Sequence, residues 1–309
     1  MRYFCTYFDQ RFLYRGLALY ESLRQHAGDF LLVVLCFDKR THEILSRLAL
    51  PSMELIRLND FEAAHPVLIT VKAERTFVEY FLTCTPLLPA FILRERPEVE
   101  QIAYLDADLF FYDNIQPVYD EWGDGSIYLV PHRFSPANKQ RGEINGGRFN
   151  VGLVGFRRDA AGMDVLDRWT RQCLEWCFLR VEPGRLGDQK YLDDWPEQFK
   201  GVVVSENHGV GAGGWNISSY RIYQQAGQIY LGDTPLVMLH LNFIELLNSH
   251  AFMGLNNYSL RPIYQSYAKA LRVAIRLVKQ AAPDYRAHYM HISLLQWISR
   301  LIRGGIIFF

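Results

Sequence analysis

The sequence has no excess of charge of either sign. Its 309 residues include 33 lysines and arginines and 33 aspartates and glutamates, so the formal net charge at pH 7 is zero. Proteins that bind nucleic acid along their surface usually carry a strongly basic patch and an excess of basic over acidic residues. The composition therefore predicts no nucleic-acid partner, and any anionic ligand must be held by a local group of side chains.

Cysteines are few and follow no ligand pattern. The five of them are odd in number and form no C-x-x-C pair or metal-ligand spacing. This usage is typical of reduced, buried thiols in a cytosolic protein. Cys173 and Cys177 lie four residues apart on a predicted helix and could meet on one face, but no other ligand-type residue accompanies them.

Long apolar runs are also missing. The N-terminal residues lack the basic region and apolar core of a signal peptide. No stretch reaches the roughly 18 uncharged apolar residues needed to span a bilayer. We therefore expect a cytoplasmic protein.

The apolar residues that are present predict an α/β fold. Residues 3–7 read as a strand, residues 14–23 have helical spacing, and residues 30–37 form the continuous apolar run FLLVVLCF. A strand with no polar alternation is usually covered on both faces, as in a parallel sheet. The order strand, helix, strand thus predicts a Rossmann-like, mainly parallel central sheet with flanking helices.

Further elements follow without an internal repeat or a low-complexity linker. We predict helices over residues 41–50, with Thr41 as N-cap, 77–94, with Pro86 and Pro89 starting or kinking a segment, and 164–179. Strands are predicted over residues 53–58, 99–105, 127–132, 149–156, 202–204 and 236–241. One domain is expected to extend to about residue 258.

Residues 259–309 differ from the rest of the chain in charge. Between 261 and 303 there are eight basic residues and one acidic residue, Asp284. Apolar residues recur at helical spacing in two runs, which predicts a basic amphipathic helical tail. Such a tail is typical of peripheral contact with an anionic membrane. The alternative is a helix packed on the domain with a solvated basic face.

An acidic pair stands directly after the strand over residues 99–105. Side chains alternate along a strand, so we expect Asp106 and Asp108 to point to the same side and Ala107 to face away, leaving room for a nucleotide. The carboxyl ends of strands are where α/β sheets bind ligands. Two carboxylates are hard ligands suited to Mg²⁺ or Mn²⁺. Aspartates at strand ends also form turns and caps.

Residues 104–111, YLDADLFF, resemble the D-x-D strand end of glycosyltransferases of the A-type fold. Over most of residues 1–258 the chain resembles bacterial nucleotide-diphospho-sugar transferases of polysaccharide assembly. The resemblance implies an A-type glycosyltransferase fold. It also implies transfer of a sugar from a nucleotide-diphosphate sugar to a glycan or lipid-linked acceptor, with residues 1–258 as the nucleotide-sugar-binding catalytic domain.

The same resemblance implies roles for further residues. Asn150, Asp188 and Gln189 match motifs beside the donor sugar, and His240 matches a late histidine that is a third metal ligand in retaining relatives. It also implies that residues 6–9 touch the nucleotide, through Thr6, Tyr7 and Asp9. Retention of anomeric configuration is our hypothesis from the late histidine and the Asp-Gln pair.

Each of these residues has a structural alternative. The alternatives are that His240 is a satisfied core histidine, Asn150 a strand cap and Asp188 a helix N-cap. Trp215 and Asn216, which follow two glycines, are either a sugar-stacking platform or a packed aromatic loop.

The family's lysine after the late histidine is absent here. Lys72 or Arg75 is therefore our candidate for the positive charge that binds the diphosphate.

Two other functions compete with glycosyl transfer. A nucleotidyltransferase would usually have a Gly-rich, basic loop after the first strand, whereas this chain has TYFDQ at residues 6–10. A non-catalytic, membrane-associated subunit of a polysaccharide-assembly complex would keep the fold and use the basic tail as its working surface.

Overall fold

The structure is a computed structural model and describes residues 1–308. Its α-helices are α1 (Leu13–His26), α2 (Lys39–Leu48), α3 (Leu58–Ala64), α4 (Val67–Glu74), α5 (Phe77–Glu95), α6 (Gln116–Trp122), α7 (Lys139–Gly146), α8 (Ala160–Glu175), α9 (Trp195–Gln198), α10 (Arg261–Ala281) and α11 (Leu294–Ile302). Short 3-10 helices lie at Gln10–Phe12, Gln189–Asp194, Ile217–Ser219 and Tyr258–Leu260.

The strands form one large sheet and several small ones. They are β1 (Arg2–Phe8), β2 (Phe30–Cys36), β3 (Met53–Arg57), β4 (Gln101–Leu105), β5 (Leu109–Phe111), β6 (Ile127–Pro131), β7 (Phe149–Arg157), β8 (Val202–Val204), β9 (Ala212–Gly213), β10 (Ile222–Gln225), β11 (Gln228–Leu231), β12 (Thr234–Pro235), β13 (Met238–His240), β14 (Glu245–Asn248), β15 (Ala251–Met253) and β16 (Ile306–Phe308).

The central sheet has the order β3-β2-β1-β4-β7-β6-β8. Neighbouring strands are parallel except around β7, which is antiparallel to both β4 and β6. This confirms the predicted α/β fold with a mainly parallel sheet. A parallel sheet needs helices on both faces, because its strands are connected by crossovers that pack on it.

Two apolar cores lie on opposite faces of this sheet. On β1, Phe4 and Phe8 pack with α1 and α10, whereas Cys5 and Tyr7 pack with α5 and α8. The alternation follows from the two-residue period of a strand. All five cysteines are free and buried, as predicted.

Helix α5 crosses one of these cores. It begins with a capping box between Thr76 and Glu79 and continues through Pro86 and Pro89, which the sequence predicted to start or kink a segment. Within residues 1–308 it is the one helix long and apolar enough to cross a membrane by length and composition, which corrects the expectation that no such segment exists. Most of its apolar stretch is buried in the core, so these properties are those of an interior helix.

Two predicted helix boundaries are wrong. Helix α2 is capped by Asp38, whose carboxylate accepts a hydrogen bond from the Thr41 backbone N–H at 2.7 Å, so Thr41 lies inside the first turn. Helix α8 begins at Ala160, capped by Asp159, and ends at Glu175. In both cases an aspartate further upstream satisfies the free N–H groups of the first turn.

The C-terminal residues are joined to the rest of the chain. Helix α10 buries an apolar face that includes Ile263, Leu271 and Val278 against α1 and α2. Strand β16 adds to the β14–β15 hairpin. The division between residues 258 and 259 therefore marks a change in composition within one packed structure. In contrast, α11 has no buried residue.

Candidate active site

The acidic pair lies in a turn at the end of β4. Asp106 and Asp108 belong to the tight connection between β4 and β5, in which the Leu109 N–H donates to the Asp106 carbonyl at 3.1 Å. The Asp106 N–H donates to the Gly152 carbonyl on β7 at 2.8 Å. The expected strand alternation is therefore the wrong reason for their convergence, because the strand has already ended. Ala107 is buried in the core, so it faces away as expected.

His240 reaches this turn through a separate small sheet. Strand β13 pairs antiparallel with β5, which places His240 opposite Leu109, and the Leu241 N–H donates to the Asp108 carbonyl at 2.9 Å. The His240 Nε2 atom lies 2.9 Å from Asp108 Oδ1 and 3.5 Å from Asp106 Oδ2. One ligand atom from each of the three side chains lies within 4.8 Å of the others. We call Asp106, Asp108 and His240 the triad.

Asn150 determines how the His240 ring is oriented. Its Oδ1 atom lies 3.1 Å from His240 Nδ1 and accepts a hydrogen bond from the Gly152 N–H at 2.9 Å. An amide oxygen can only accept, so Nδ1 carries a proton and Nε2 faces the two carboxylates. Two carboxylates and an imidazole nitrogen that converge in this way could hold a metal ion. This donor set fits Mn²⁺ or Mg²⁺.

His132 extends the hydrogen-bond network beyond Asn150. Its Nε2 atom lies 3.4 Å from the Asn150 side-chain nitrogen, and its Nδ1 atom donates to the Gly147 carbonyl at 2.9 Å. Burial lowers the pKa of His132 to about 4, so the ring is neutral at pH 7. A neutral Nε2 can accept from the Asn150 amide, which holds the Asn150 oxygen toward His240.

The electrostatics of the triad favour a bound cation. Burial alone would lower the pKa of His240, but the charges of Asp108 and Asp106 outweigh it and raise that pKa. Burial raises the pKa of Asp106. Burial also acts to raise the pKa of Asp108, but the charge and hydrogen bond of His240 together with the charge of Arg15 outweigh it, and that pKa is lowered. The Asp106 side chain is 31% exposed, whereas those of Asp108 and His240 are largely buried.

Asp188 is a second buried carboxylate near the triad. Its Oδ2 atom has no hydrogen-bond partner among residues 1–308. Burial raises its pKa to about 7, and the charge of Asp106 adds to this effect. Asp188 precedes the 3-10 helix Gln189–Asp194 but makes no side-chain capping hydrogen bond, so the N-cap alternative has no support.

Gln189 links β7 to α7. Its Oε1 atom accepts from the Val151 N–H at 3.3 Å, and its Nε2 atom donates to the Gly146 carbonyl. Val151 directly follows Asn150, so the Gln189 side chain lies beside the residue that orients His240. The structure brings Asn150, Asp188 and Gln189 to the same edge of the central sheet as the acidic pair.

Of Thr6, Tyr7 and Asp9, which are predicted to touch the nucleotide, only Asp9 lines a cavity. The side chains of Thr6 and Tyr7 are buried, and the Tyr7 hydroxyl lies 2.7 Å from Thr85 Oγ1. Both side chains point into the core, so a nucleotide could reach these two residues only through their backbone. Asp9 lines a cavity, where its carboxylate pairs with Arg11 at 2.6 Å.

Lys72 and Arg75 are engaged away from the triad, so the structure does not support their assignment to the diphosphate. Lys72 pairs with Glu62 at 2.7 Å, and the Arg75 guanidinium donates to the carbonyls of Cys173 and Leu174. The cation that sequence reasoning missed is Arg15 on α1, whose charge helps to lower the pKa of Asp108. No local motif marks it, because only the packing of α1 beside the triad makes it relevant.

The loop with Trp215 and Asn216 is a packed aromatic loop beside the triad. The Trp215 ring lies edge-on to His240, with ring centroids 5.4 Å apart, and its Nε1 donates to the His132 carbonyl at 2.8 Å. Asn216 is buried, accepts from the Gly213 N–H and donates to the same carbonyl. Asn216 therefore holds the loop, and the half-buried Trp215 ring is the part near the triad.

A cavity of about 650 Å³ opens at the carboxyl end of β1. Its lining residues are Asp9, Arg11, Phe12, Arg15, Phe77, Val78, Phe81, Glu245, Leu246, His288, Tyr289, Met290 and His291. Arg15 connects it to the triad, and Phe12 and Phe77 are exposed aromatic rings. We call it the β1 cavity. Sequence reasoning missed it because its walls come from four distant parts of the chain.

Comparisons with known proteins support the fold. No protein-family profile matches the chain. The galactosyltransferase LgtC, solved in complex with donor and acceptor sugar analogues, superposes with a TM-score of 0.50 at 13% identity, covering 96% of this chain and 99% of LgtC. The glycosyltransferase GlyE of Streptococcus pneumoniae TIGR4 superposes with a TM-score of 0.50 at 15% identity, covering 91% of this chain and 64% of GlyE.

Fold and site together define the class: the chain has the A-type glycosyltransferase fold, as the resemblance implied, with two aspartates and a histidine clustered at the sheet edge. It belongs to the family of the Bacillus subtilis (strain 168) protein YfnD, to which it is 31% identical over 291 residues, 92% of this chain and 93% of YfnD. YfnF of the same strain is 29% identical over 91% of this chain and 95% of YfnF. Both relatives are described as uncharacterized.

Proposed function

We propose that this protein transfers a sugar from a nucleotide-diphosphate sugar to a glycan or lipid-linked acceptor, in a reaction that depends on a divalent cation. The observation that carries the proposal is the triad, in which two carboxylates and an imidazole nitrogen converge within 4.8 Å. Three protein ligands leave coordination positions for diphosphate oxygens and water. Bound there, Mn²⁺ or Mg²⁺ would act as a Lewis acid toward the negative charge that develops on the leaving diphosphate.

The protein's own groups would prepare the site for this charge. Asn150 pairs with Nδ1 of His240 and so directs Nε2 at the carboxylates, and the Arg15 guanidinium adds positive charge near Asp108. Arg15 is itself anchored by the Ile244 carbonyl at 2.6 Å and by Glu245 at 2.9 Å. Charges fixed before the reaction need no reorganisation as the transition state forms, which is why such preorganisation lowers the barrier.

Asp188 would face the sugar. Its partnerless Oδ2 atom and raised pKa indicate a carboxylate that lacks a ligand in the free protein. A sugar hydroxyl could donate to it, or the carboxylate could stabilise positive charge at the anomeric carbon. Asn150 and Gln189, on β7 and the following 3-10 helix, would orient the ring. We propose retention of configuration on this basis, and NMR of the product linkage tests it.

The β1 cavity suits the nucleoside. Its volume of about 650 Å³ lies in the range of small-molecule sites, and its lining is rich in aromatic rings. The guanidinium groups of Arg15 and Arg11 lie over the rings of Phe12 and Phe77, so a base would pack against these cation–ring pairs. Arg15 lines the cavity and its charge acts on Asp108, so a diphosphate beside Arg15 would connect the nucleoside to the cation. The segment after β1 is the 3-10 helix Gln10–Phe12 and lacks the Gly-rich loop of a nucleotidyltransferase.

The tail suits peripheral contact with the cytoplasmic face of a membrane, and we include this in the proposal. Helix α11 exposes apolar side chains, with Leu295 80% exposed. The outer face of α10 carries Arg261, Lys269, Arg272, Arg276 and Lys279, and within the described residues none of these five forms an ion pair. An apolar helix beside a cationic surface is the combination that binds anionic lipid.

Donor hydrolysis tests the central proposal. A panel of UDP-, GDP- and dTDP-sugars would be incubated with the protein and Mn²⁺, with EDTA as the metal-free arm. We expect hydrolysis of one donor class with metal only, and at least about a hundredfold lower rate for Asp108→Asn, since one electrostatic stabiliser is typically worth that much. Asp113→Asn makes the same change outside the triad and should keep the full rate.

The outcomes separate the competing functions. Tight donor binding without turnover to any acceptor would favour the non-catalytic subunit of a polysaccharide-assembly complex. Equal rates for Asp108→Asn and Asp113→Asn would remove the metal-dependent mechanism. If no donor binds with Mn²⁺, both the transferase and the subunit proposals fail.

A further inference from the structure

Part of the segment that connects α10 to α11 lines the β1 cavity. We call residues 285–291 the tail loop. It is fixed at both ends: the Tyr285 hydroxyl donates to the Gln10 carbonyl, and the Met290 N–H donates to the Leu246 carbonyl at 2.8 Å. The Tyr285 ring also packs edge-on against Tyr14 on α1, with centroids 5.5 Å apart. These contacts hold the tail loop against the start of α1.

Four consecutive residues of the tail loop line the cavity. They are His288, Tyr289, Met290 and His291. The opposite wall is formed by Phe12, Phe77 and Phe81. The imidazole rings of His288 and His291 have no hydrogen-bond or ion-pair partner within residues 1–308, and both side chains are exposed. The cavity is therefore lined by the rings of Phe12, Phe77 and Phe81 and by tail-loop side chains that offer unpaired imidazole nitrogens and a thioether.

This composition suits a planar heterocycle with a ribose. Aromatic rings provide stacking surface, and methionine adapts to irregular shapes and packs against ring systems. A neutral imidazole has one donor and one acceptor, which can pair with a base edge or a ribose hydroxyl.

We propose that the tail loop is the outer wall of the nucleoside site, with His288 and Met290 in contact with the base and ribose. This inference rests on the proposed function, because it requires that a nucleotide occupies the β1 cavity. The C-terminal residues are then a part of the substrate site, in addition to any contact that α11 makes elsewhere. Nucleotide binding would cover the tail loop and leave α11 unchanged.

Protection of an introduced thiol tests the proposal directly. The five native cysteines are buried, so Met290→Cys would provide a thiol that reacts with a maleimide while the others are shielded. Leu294→Cys, at the start of α11 and 75% exposed, is the matched control. With saturating UDP, GDP or dTDP and Mn²⁺, we expect alkylation of Cys at position 290 to slow at least about tenfold, and the control to be unaffected.

Affinity measurements complete the test. By calorimetry, His288→Ala should weaken binding of the same nucleoside diphosphate about tenfold with Mn²⁺ and also with EDTA, because its contact is to the nucleoside. His250→Ala removes another exposed histidine and should change nothing. If wild type binds the nucleotide but Met290→Cys is unprotected and His288→Ala binds normally, the tail-loop inference is overturned and the proposed function stands. If wild type binds none of the three nucleotides, both are lost.

Discussion

Replacing Asn150 should weaken cation binding although Asn150 is not a ligand. Its oxygen accepts from His240 Nδ1 at 3.1 Å, which leaves the Nε2 lone pair directed at Asp106 and Asp108. In Asn150→Leu the imidazole loses that acceptor, so the proton can move to Nε2 and block the metal-binding atom. Loss of such an outer hydrogen bond typically costs 10- to 100-fold in metal affinity, or about 1.4 to 2.8 kcal/mol.

Asn150→Asp separates this effect from simple loss of structure. Aspartate keeps an oxygen acceptor for His240 and for the Gly152 N–H, so we expect Mn²⁺ affinity equal to or above that of wild type. Leucine is similar in size but leaves the Gly152 N–H without its 2.9 Å partner, which costs about 1 to 3 kcal/mol of stability. Thermal melting of both variants would show that each is folded at the assay temperature.

Calorimetry with Mn²⁺ and no nucleotide measures the affinities, and ¹⁵N NMR of the histidine rings reports the tautomer of His240. We expect an Nδ1-protonated ring in wild type and in Asn150→Asp, and a shift toward the Nε2-protonated ring in Asn150→Leu. Wild-type Mn²⁺ affinity in a folded Asn150→Leu protein would refute the reasoning. So would an unchanged tautomer.

The remaining predictions concern Asp188, Gly152 and α11. Because burial raises the Asp188 pKa from 3.8 to about 7, the folded state binds more protons than the unfolded state in that range, and stability falls as pH rises from about 4 to about 7. Asp188→Asn should therefore gain stability relative to wild type, by at most ~4 kcal/mol between pH ~4 and ~8 in metal-free urea titrations; a pH-independent difference would contradict this. A Cβ on Gly152 would lie 2.5 Å from Asn150 Oδ1 and 2.7 Å from His240 Nδ1, so Gly152→Ala should cost roughly 1 to 3 kcal/mol and lose Mn²⁺ affinity. Retained affinity by calorimetry would show that the network can shift. Replacing Leu294 and Leu295 by serine should abolish co-sedimentation with anionic vesicles and leave donor hydrolysis unchanged, whereas equal sedimentation of the variant would remove the membrane role.

Local sequence patterns were sufficient for most of the central sheet. The run FLLVVLC of β2 is apolar at every position and is buried on both faces, as its pattern predicted. The predicted strands over residues 53–58 and 202–204 differ from β3 and β8 by at most one residue. These elements could be predicted because hydrophobic periodicity is a local property that the folded environment only has to match.

The candidate site was less accessible to the same reasoning. The acidic pair was recognised by motif, but its geometry comes from a turn after β4 rather than from strand alternation. Thr6 and Tyr7 lie near the end of β1, close in sequence to the cavity, but their side chains are buried in the core. Arg15 has no motif at all, and its proximity to Asp108 depends on how α1 packs.

By itself, the order of residues determined an α/β chain with buried thiols, an acidic pair at a strand end and two amphipathic runs in a basic tail. Only the tertiary structure decided that β13 pairs with β5 and carries His240 to the carboxylates, and that α10 is packed while α11 is exposed. It also decided that residues 288–291 line one cavity with Phe12 and Phe77. The physical reason is distance along the chain. Periodicity states which face of a segment is apolar, whereas the identity of the segment that covers that face depends on packing between residues separated by hundreds of positions.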